Sequence, residues 1–340
     1  MSPLLPKKFT SEAVSLFQKM SSRAGQLVLR RALSSGPVAR TLTPRRALMY
    51  VPGCDERKVA KVPGLGADCV CLDCEDGVAL NRKTEARDNI RDILDTQRIH
   101  FGASECSVRV NSLESGLCRE DVLAVLGGRH LPAALHLPKC GGREDLLALT
   151  AAVREALVRP LDRPLGLIMF IESARALIDI DTICREARQI CEDSGLLVPE
   201  AIVFGSDDFA ADIGATRTAD CTELLLARQR VVLAAKAHRL QAIDAVYIDY
   251  KDTEGLRRQA EEGARWGFTG KQVIHPGQVA VVQQAFSPSQ ERLEWARQLV
   301  REHREQQGQG RGAFTFRGAM IDMPTVRQAE NVLAMAGRGK

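Results

Sequence analysis

The sequence predicts an α/β chain folded as a TIM (β/α)8 barrel with a C-terminal helical extension. Three observations carry that expectation. Eight short apolar runs alternate with stretches of helical periodicity, the pattern of βα units around a parallel sheet. Polar or charged groups follow nearly every run, as they do at the C-terminal mouth of such a barrel. The glycine-rich turn that would open a dinucleotide-binding doubly wound sheet is missing, since VPGCDERK at 51–58 offers a single glycine.

Taken from the N-terminus, residues 1–46 hold nine Lys and Arg, one acid (Glu12) and seven serines. An Arg-rich, Ser-rich, acid-poor start is the composition of a mitochondrial transit peptide, placed here at 1–44 and implying the matrix. With those 46 residues set aside, 38 basic and 42 acidic residues remain, so the rest carries about −4 and the pI of 8.5 belongs mostly to the leader. A nucleic-acid surface needs the opposite sign and stacking aromatics, which make up only 4% of the chain. No apolar run approaches the roughly 18 residues of a membrane-spanning helix. The reading therefore expects neither a nucleic-acid partner nor a membrane.

The barrel is expected over 45–288. Its strand candidates are 47–51, 69–72, 107–110, 134–137, 165–171, 201–204, 245–248 and 271–274. Between them Ala176, Leu177, Ile180, Ile183, Cys184 and Ala187 recur at helical spacing, as do Leu224, Leu225, Arg228, Val231, Val232 and Ala235. Cys69, Cys71 and Cys74 contain a CxxC without a second pair or a histidine nearby, so they read as strand packing rather than a zinc site. Two helical stretches (276–286 and 290–307) and a glycine-rich hinge (308–312) lead into a tail, AFTFRGAMIDMP, with Phe314, Phe316, Met320 and Met323. Such a tail is too apolar to run free and is expected to pack on its own barrel mouth or on a neighbouring subunit. It belongs to an extension, 289–340, that can carry Asp322 to a site.

At or just past the ends of these runs stand Tyr50, then Asp73, Glu75 and Asp76, Arg109 and Asn111, Lys139, Glu172, Asp208, Asp249 and His275. Two buried runs deliver carboxylates at their ends, 165–171 into Glu172 and 201–204 into Ser206, Asp207 and Asp208. Oxygen ligands of this kind suit a hard cation such as Mg²⁺, and equally suit the first turn of a helix. Arg109 can hold a carboxylate bidentately or can close an ion pair with Glu75 or Asp76. Arg57, Lys58 and Lys61 gather positive charge for phosphates if they share a face.

The ordered motifs LMYVPG, LDCEDGV, VRVNS, LPK, FIES, VFGSDDFAADIG, GFTGKQVIHPGQ and GAMIDMP resemble the CitE-type acyl-CoA lyases over nearly the whole chain beyond the leader. The resemblance implies a TIM barrel, a homotrimer, Mg²⁺, and cleavage of citramalyl-CoA to acetyl-CoA and pyruvate, with weaker condensation of acetyl-CoA and glyoxylate. It places the metal ligands on Glu172 and Asp208 and the substrate arginine on Arg109. Tyr50, Arg57 and Lys61 fall on positions that contact CoA, and Ile274 and His275 on a substrate wall. Asp322 falls on the catalytic aspartate, exchanging a proton at the acetyl-CoA methyl carbon from its own or an adjacent subunit.

Overall fold

The computed structural model describes residues 43–218, 220–308 and 314–337, with side chains as far as 333. The leader expected at 1–44 lies almost wholly outside the described residues, as do residues 309–312 of the expected hinge. The strands are β1 (Ala47–Pro52), β2 (Cys69–Asp73), β3 (Glu105–Arg109), β4 (Ala134–Leu137), β5 (Leu165–Ile171), β6 (Leu197–Phe204), β7 (Gln241–Asp244) and β8 (Gly270–Val273). They pair in parallel, in chain order, and β8 closes onto β1.

Strand side chains alternate between two environments. One row, including Leu48, Cys69, Cys71, Ala134, Ile168, Phe170, Ala201, Val203 and Ile243, packs with Tyr50 inside the barrel. The other, including Met49, Val70, Leu72, Val108, Leu135, Met169, Ile202 and Phe204, packs against the surrounding helices. Those helices largely follow the expected periodicity: Ile180–Ser194 buries Ile180, Ile183, Cys184 and Ala187, and Leu225–Ala237 buries Arg228, Val231, Val232 and Ala235, whereas Leu225, expected on the same face, is exposed. Cys69, Cys71 and Cys74 are buried free thiols, and among the described residues no three His, Cys, Asp or Glu gather as a metal cage.

The seventh strand differs from the expected run at 245–248. It is Gln241–Asp244, and Asp249 is an exposed loop residue rather than a strand end. Polar residues disguised the strand. Asp244 points outward and is fully buried, where Arg228 Nε and Nη2 donate to it at 2.9 and 2.7 Å and Lys271 Nζ at 3.4 Å. Lys271 Nζ also donates to Gln259 Oε1 at 2.6 Å.

A second ion cluster closes the other end of the barrel. Arg45, fully buried, donates to both oxygens of Glu105 (2.5 and 2.7 Å) and to Glu200, while Arg46 pairs with Asp68 and bonds Ser287 Oγ. Arg45 and Arg46 therefore belong to the barrel, which lowers the leader's basic count from nine to seven and the imbalance of the remainder from −4 to about −2. Gly270 accommodates this entry segment, because a Cβ there would stand 1.9 Å from the Arg45 carbonyl oxygen.

The tail forms a hairpin (Phe314–Phe316, Ala319–Ile321) and a helix, Met323–Gly337. Phe314, Ile321, Val326, Ala329 and Val332 pack on Leu293, Ala296, Leu299 and Val300 of the helix Gln290–Gly308. The extension thus builds a small core with its own preceding helix, not with the barrel mouth, and leaves Met320 and Met323 exposed.

Arg45→Met is expected to cost about 3–5 kcal/mol, because it leaves the buried Glu105 carboxylate without its bidentate cation. Urea unfolding followed by circular dichroism measures this; a loss below about 0.5 kcal/mol would mean that the cluster does not hold the barrel end.

Candidate active site

At the C-terminal ends of the strands lies a cavity of about 810 Å³. Its floor continues the barrel's inward row: Tyr50 follows Leu48, Asp73 follows Cys71, Glu172 follows Phe170, and Arg109 lies in the same row of β3. The strand period of two therefore determines which charged groups meet, and Arg109 is the centre of the set.

Arg109 Nε and Nη2 each donate to Asp73 at 2.7 Å, a bidentate pair, while Nη1 lies 2.7 Å from Glu75 Oε2 and 3.3 Å from Asp76 Oδ2. Its guanidinium lies over the Tyr50 ring, 4.9 Å from the centroid. Of the two readings open for Arg109, the structure shows the ion pairs with Glu75 and Asp76, and its bidentate edge is taken by Asp73; the residue also lines the cavity. The loop after β2 is fastened by Lys83, whose ammonium donates to Cys74 O, Glu75 O and Asn111 Oδ1 at 2.7–2.8 Å.

Glu172 enters at the end of β5 and is nearly buried. Lys139, in the left-handed region at φ 49°, turns its backbone N–H onto Glu172 Oε2 at 2.7 Å. Its ammonium reaches Glu75 Oε1 at 3.2 Å and Asp208 Oδ2 at 3.9 Å. Gly205 admits the Glu172 carboxylate, since a Cβ there would stand 2.2 Å from Oε1. Asp207 and Asp208 occupy the first turn of the helix Ser206–Asp212, where the helix dipole favours negative charge. Arg217 bonds Ser206 Oγ at 3.0 Å and pairs with Asp207.

Burial pushes the Glu172 carboxyl up to about 7; the neighbouring Glu75 and Asp208 charges add to this, and the Lys139 N–H and Arg109 oppose it. Glu75 also rises to about 7, chiefly by burial, against the pull of Arg109. Burial holds the Tyr50 phenol well above its ordinary value, so it is protonated at neutral pH. Two carboxyls crowded beside Asp208 need positive charge. The pair Glu172 and Asp208, with Gly205 leaving room at the corner, fits a hard divalent cation that takes one or two protein carboxylates and keeps its waters.

Of the residues singled out from sequence, Tyr50, Lys61, Arg109, Glu172, Asp208, Ile274 and His275 line this one cavity. Arg57 does not. The helix that carries it, Glu56–Val59, is a single turn, and Lys58, about 100° further round, supplies the cavity's charge beside Lys61. Asp322 does not reach the cavity of its own chain either: it is exposed and accepts from the backbone N and Oγ1 of Thr325 at 3.1 and 2.8 Å, as the cap of the last helix. Sequence reasoning passed over Gln272, which lines the floor from β8, and Tyr250, which stacks on His275 at 4.7 Å on the rim. Gln272 lies inside the motif GFTGKQVIHPGQ, which drew attention only to Ile274 and His275, and Tyr250 lies in none of the quoted motifs.

The HpcH/HpaI aldolase/citrate lyase family model matches residues 46–276, which spans the whole barrel. The chain belongs to this family. As an HpcH/HpaI aldolase/citrate lyase member it is a carbon–carbon lyase. It is 49% identical to human mitochondrial citramalyl-CoA lyase over 294 residues, covering 86% of each chain. A (3S)-malyl-CoA thioesterase of Cereibacter sphaeroides is 31% identical over 293 residues, 86% of this chain and 95% of that protein. The crystal structure of CitE from Mycobacterium tuberculosis with magnesium, acetoacetate and coenzyme A superposes with a TM-score of 0.67 at 31% identity, over 86% of this chain and 98% of that one.

Because the Glu172 and Glu75 carboxyls hold protons near pH 7, divalent-cation binding is expected to release protons and to weaken about tenfold per pH unit below 7 for each proton displaced. Calorimetric titrations in buffers of different ionisation heat measure the release; equal heats in both would contradict it. Gly205→Ala, whose methyl displaces Glu172, is expected to lose about 10–100-fold in the same titration.

Proposed function

We propose that the chain is a Mg²⁺-dependent lyase that cleaves (S)-citramalyl-CoA into acetyl-CoA and pyruvate in the mitochondrial matrix. The observation that carries the reading is the meeting of Glu172, Asp208 and Arg109 in one cavity whose entrance is edged by Lys58 and Lys61. The near relation to human citramalyl-CoA lyase supports the choice of acyl group, and the magnesium and coenzyme A of the M. tuberculosis relative support the choice of metal and carrier.

In this reading Glu172 and Asp208 hold Mg²⁺, which when bound supplies Lewis-acid stabilisation of negative charge on the substrate oxygens. Lys58 and Lys61 receive CoA phosphates, with Arg57 further out on the same turn. Ile274 and His275 form the wall along which the acyl arm lies. Arg109, held by Asp73, presents a fixed positive charge to the thioester oxygen. Cleavage passes the hydroxyl proton to solvent water, turns that oxygen into the keto oxygen of pyruvate, breaks the C2–C3 bond and leaves its electron pair as a thioester enolate, which must be protonated at C2 to give acetyl-CoA.

Asp322 is proposed as that proton donor, and as the base for the reverse condensation. Since it caps a surface helix in its own chain, it acts here in the site of a neighbouring subunit, in a homotrimer. The same groups support condensation of acetyl-CoA with glyoxylate or pyruvate as side activities, malate synthase and methylmalate synthase. The likeness to the C. sphaeroides thioesterase keeps malyl-CoA hydrolysis as a second reading for the main activity.

Purified chain without its leader, given racemic citramalyl-CoA, is expected to release acetyl-CoA and pyruvate in equal amounts, to consume half the racemate, and to stop in EDTA. Free CoA with intact citramalate would establish the thioesterase reading instead. Asp322→Asn is expected to lower kcat by about 10²–10⁴ with the fold unchanged; near wild-type turnover would remove its role.

A further inference from the structure

Tyr50 and Gln272 stand side by side on the inward rows of β1 and β8, where Leu48 is in register with Gln272, and both line the cavity. Gln272 Nε2 donates to Phe204 O at 2.9 Å and to Asp244 O at 3.1 Å. Two carbonyl oxygens take both amide hydrogens, which settles the end of the side chain that is nitrogen and leaves Oε1 as an acceptor. Tyr50 Oη lies 2.9 Å from that Oε1. The phenol has one proton, and it must be given there. What the Tyr50 oxygen keeps for the cavity is lone pairs. Carbonyl, carboxylate and phosphate oxygens have nothing to donate to it, whereas a hydroxyl does. The Arg109 guanidinium over the ring, itself gripped by Asp73, holds the phenol in this place.

We propose that Gln272 is a positioning residue that fixes Tyr50 as a pure hydrogen-bond acceptor, and that Tyr50 thereby selects the hydroxyl of a 3-hydroxyacyl thioester over its deoxy counterpart. The proposal rests on the acyl-CoA reading of the site but not on bond cleavage. It gives a use to two buried bonds on β8 that neither the cation pair nor the phosphate-facing lysines require. A pantetheine amide N–H is the other donor an acyl-CoA offers, and the test separates the two.

The test compares citramalyl-CoA with 3-methylsuccinyl-CoA, which carries hydrogen in place of the hydroxyl. Binding is measured by calorimetry in EDTA, and kcat and KM for citramalyl-CoA are measured with Mg²⁺. The wild-type chain is expected to prefer the hydroxyl ligand by about tenfold. Tyr50→Phe and Gln272→Met should abolish that preference by weakening the hydroxyl ligand more than the deoxy one. Absence of a wild-type preference overturns the proposal. So does an equal loss for both ligands in Tyr50→Phe, the result for a phenol that reads the pantetheine arm. A full preference kept in Gln272→Met, with a native circular dichroism spectrum, removes the role of Gln272. Failure of the lyase reading would show separately, as absent pyruvate release by the wild-type chain, and leaves the binding comparison intact.

Discussion

The bidentate pair between Arg109 and Asp73 is the constraint on which the mouth of this barrel depends. Asp73, Glu75, Asp76, Glu172 and Asp208 stand close together, against two cations, Arg109 and Lys139. Burying charge without a partner costs several kcal/mol per ion, so this cluster persists because each buried oxygen meets a guanidinium, an ammonium or a backbone N–H. Burial outweighs these partners at two carboxyls, which is why Glu75 and Glu172 rise to about 7. The side of the cluster that faces the cavity is where a divalent cation would offset the remaining negative charge.

The framework that holds this cluster rests on two further ion groups. Arg45, from the segment leading into β1, is buried with Glu105 and Glu200 at the N-terminal end. Asp244 with Arg228 and Lys271 fills the outward row between β7, β8 and their helices. Together they place charge in layers that an apolar side chain would ordinarily occupy. Removing either member of such a pair is costly, so these groups register the strands against one another as well as binding them.

Apolar periodicity made most of the barrel legible, because most of its strands are runs that a hydrophobic interior requires, although β8 carries Lys271 and Gln272. The seventh in order was misplaced, because its burial is achieved by pairing Asp244 rather than by apolar residues. The candidate site was legible where a charged residue ends a strand or directly follows it, as with Arg109 and Glu172, and where a strand runs into an acidic corner, as with Asp207 and Asp208. It was less so where a short helix decides the direction: spacing could not choose between Arg57 and Lys58 on one turn. Arg45 and Arg46 were counted with the leader's charge although the barrel was expected from 45, because composition counts charge without its partners. Gln272 was passed over although it lies inside a quoted motif, since an amide in a strand acquires meaning only from the two carbonyls beside it.

The Arg45 cluster also bears on the order in which the chain can assemble. Arg45 and β1 are the first barrel residues to leave the ribosome, yet Arg45 waits for Glu200, 155 residues later, and β1 closes only on β8. Contacts of such long sequence separation form late, after the loop entropy of the intervening chain has been overcome. Until β8 arrives, a buried-type arginine and an open strand edge stay exposed together. Chain closure is therefore the vulnerable moment for this barrel, when partly made molecules are most prone to pair with one another or to need a chaperone.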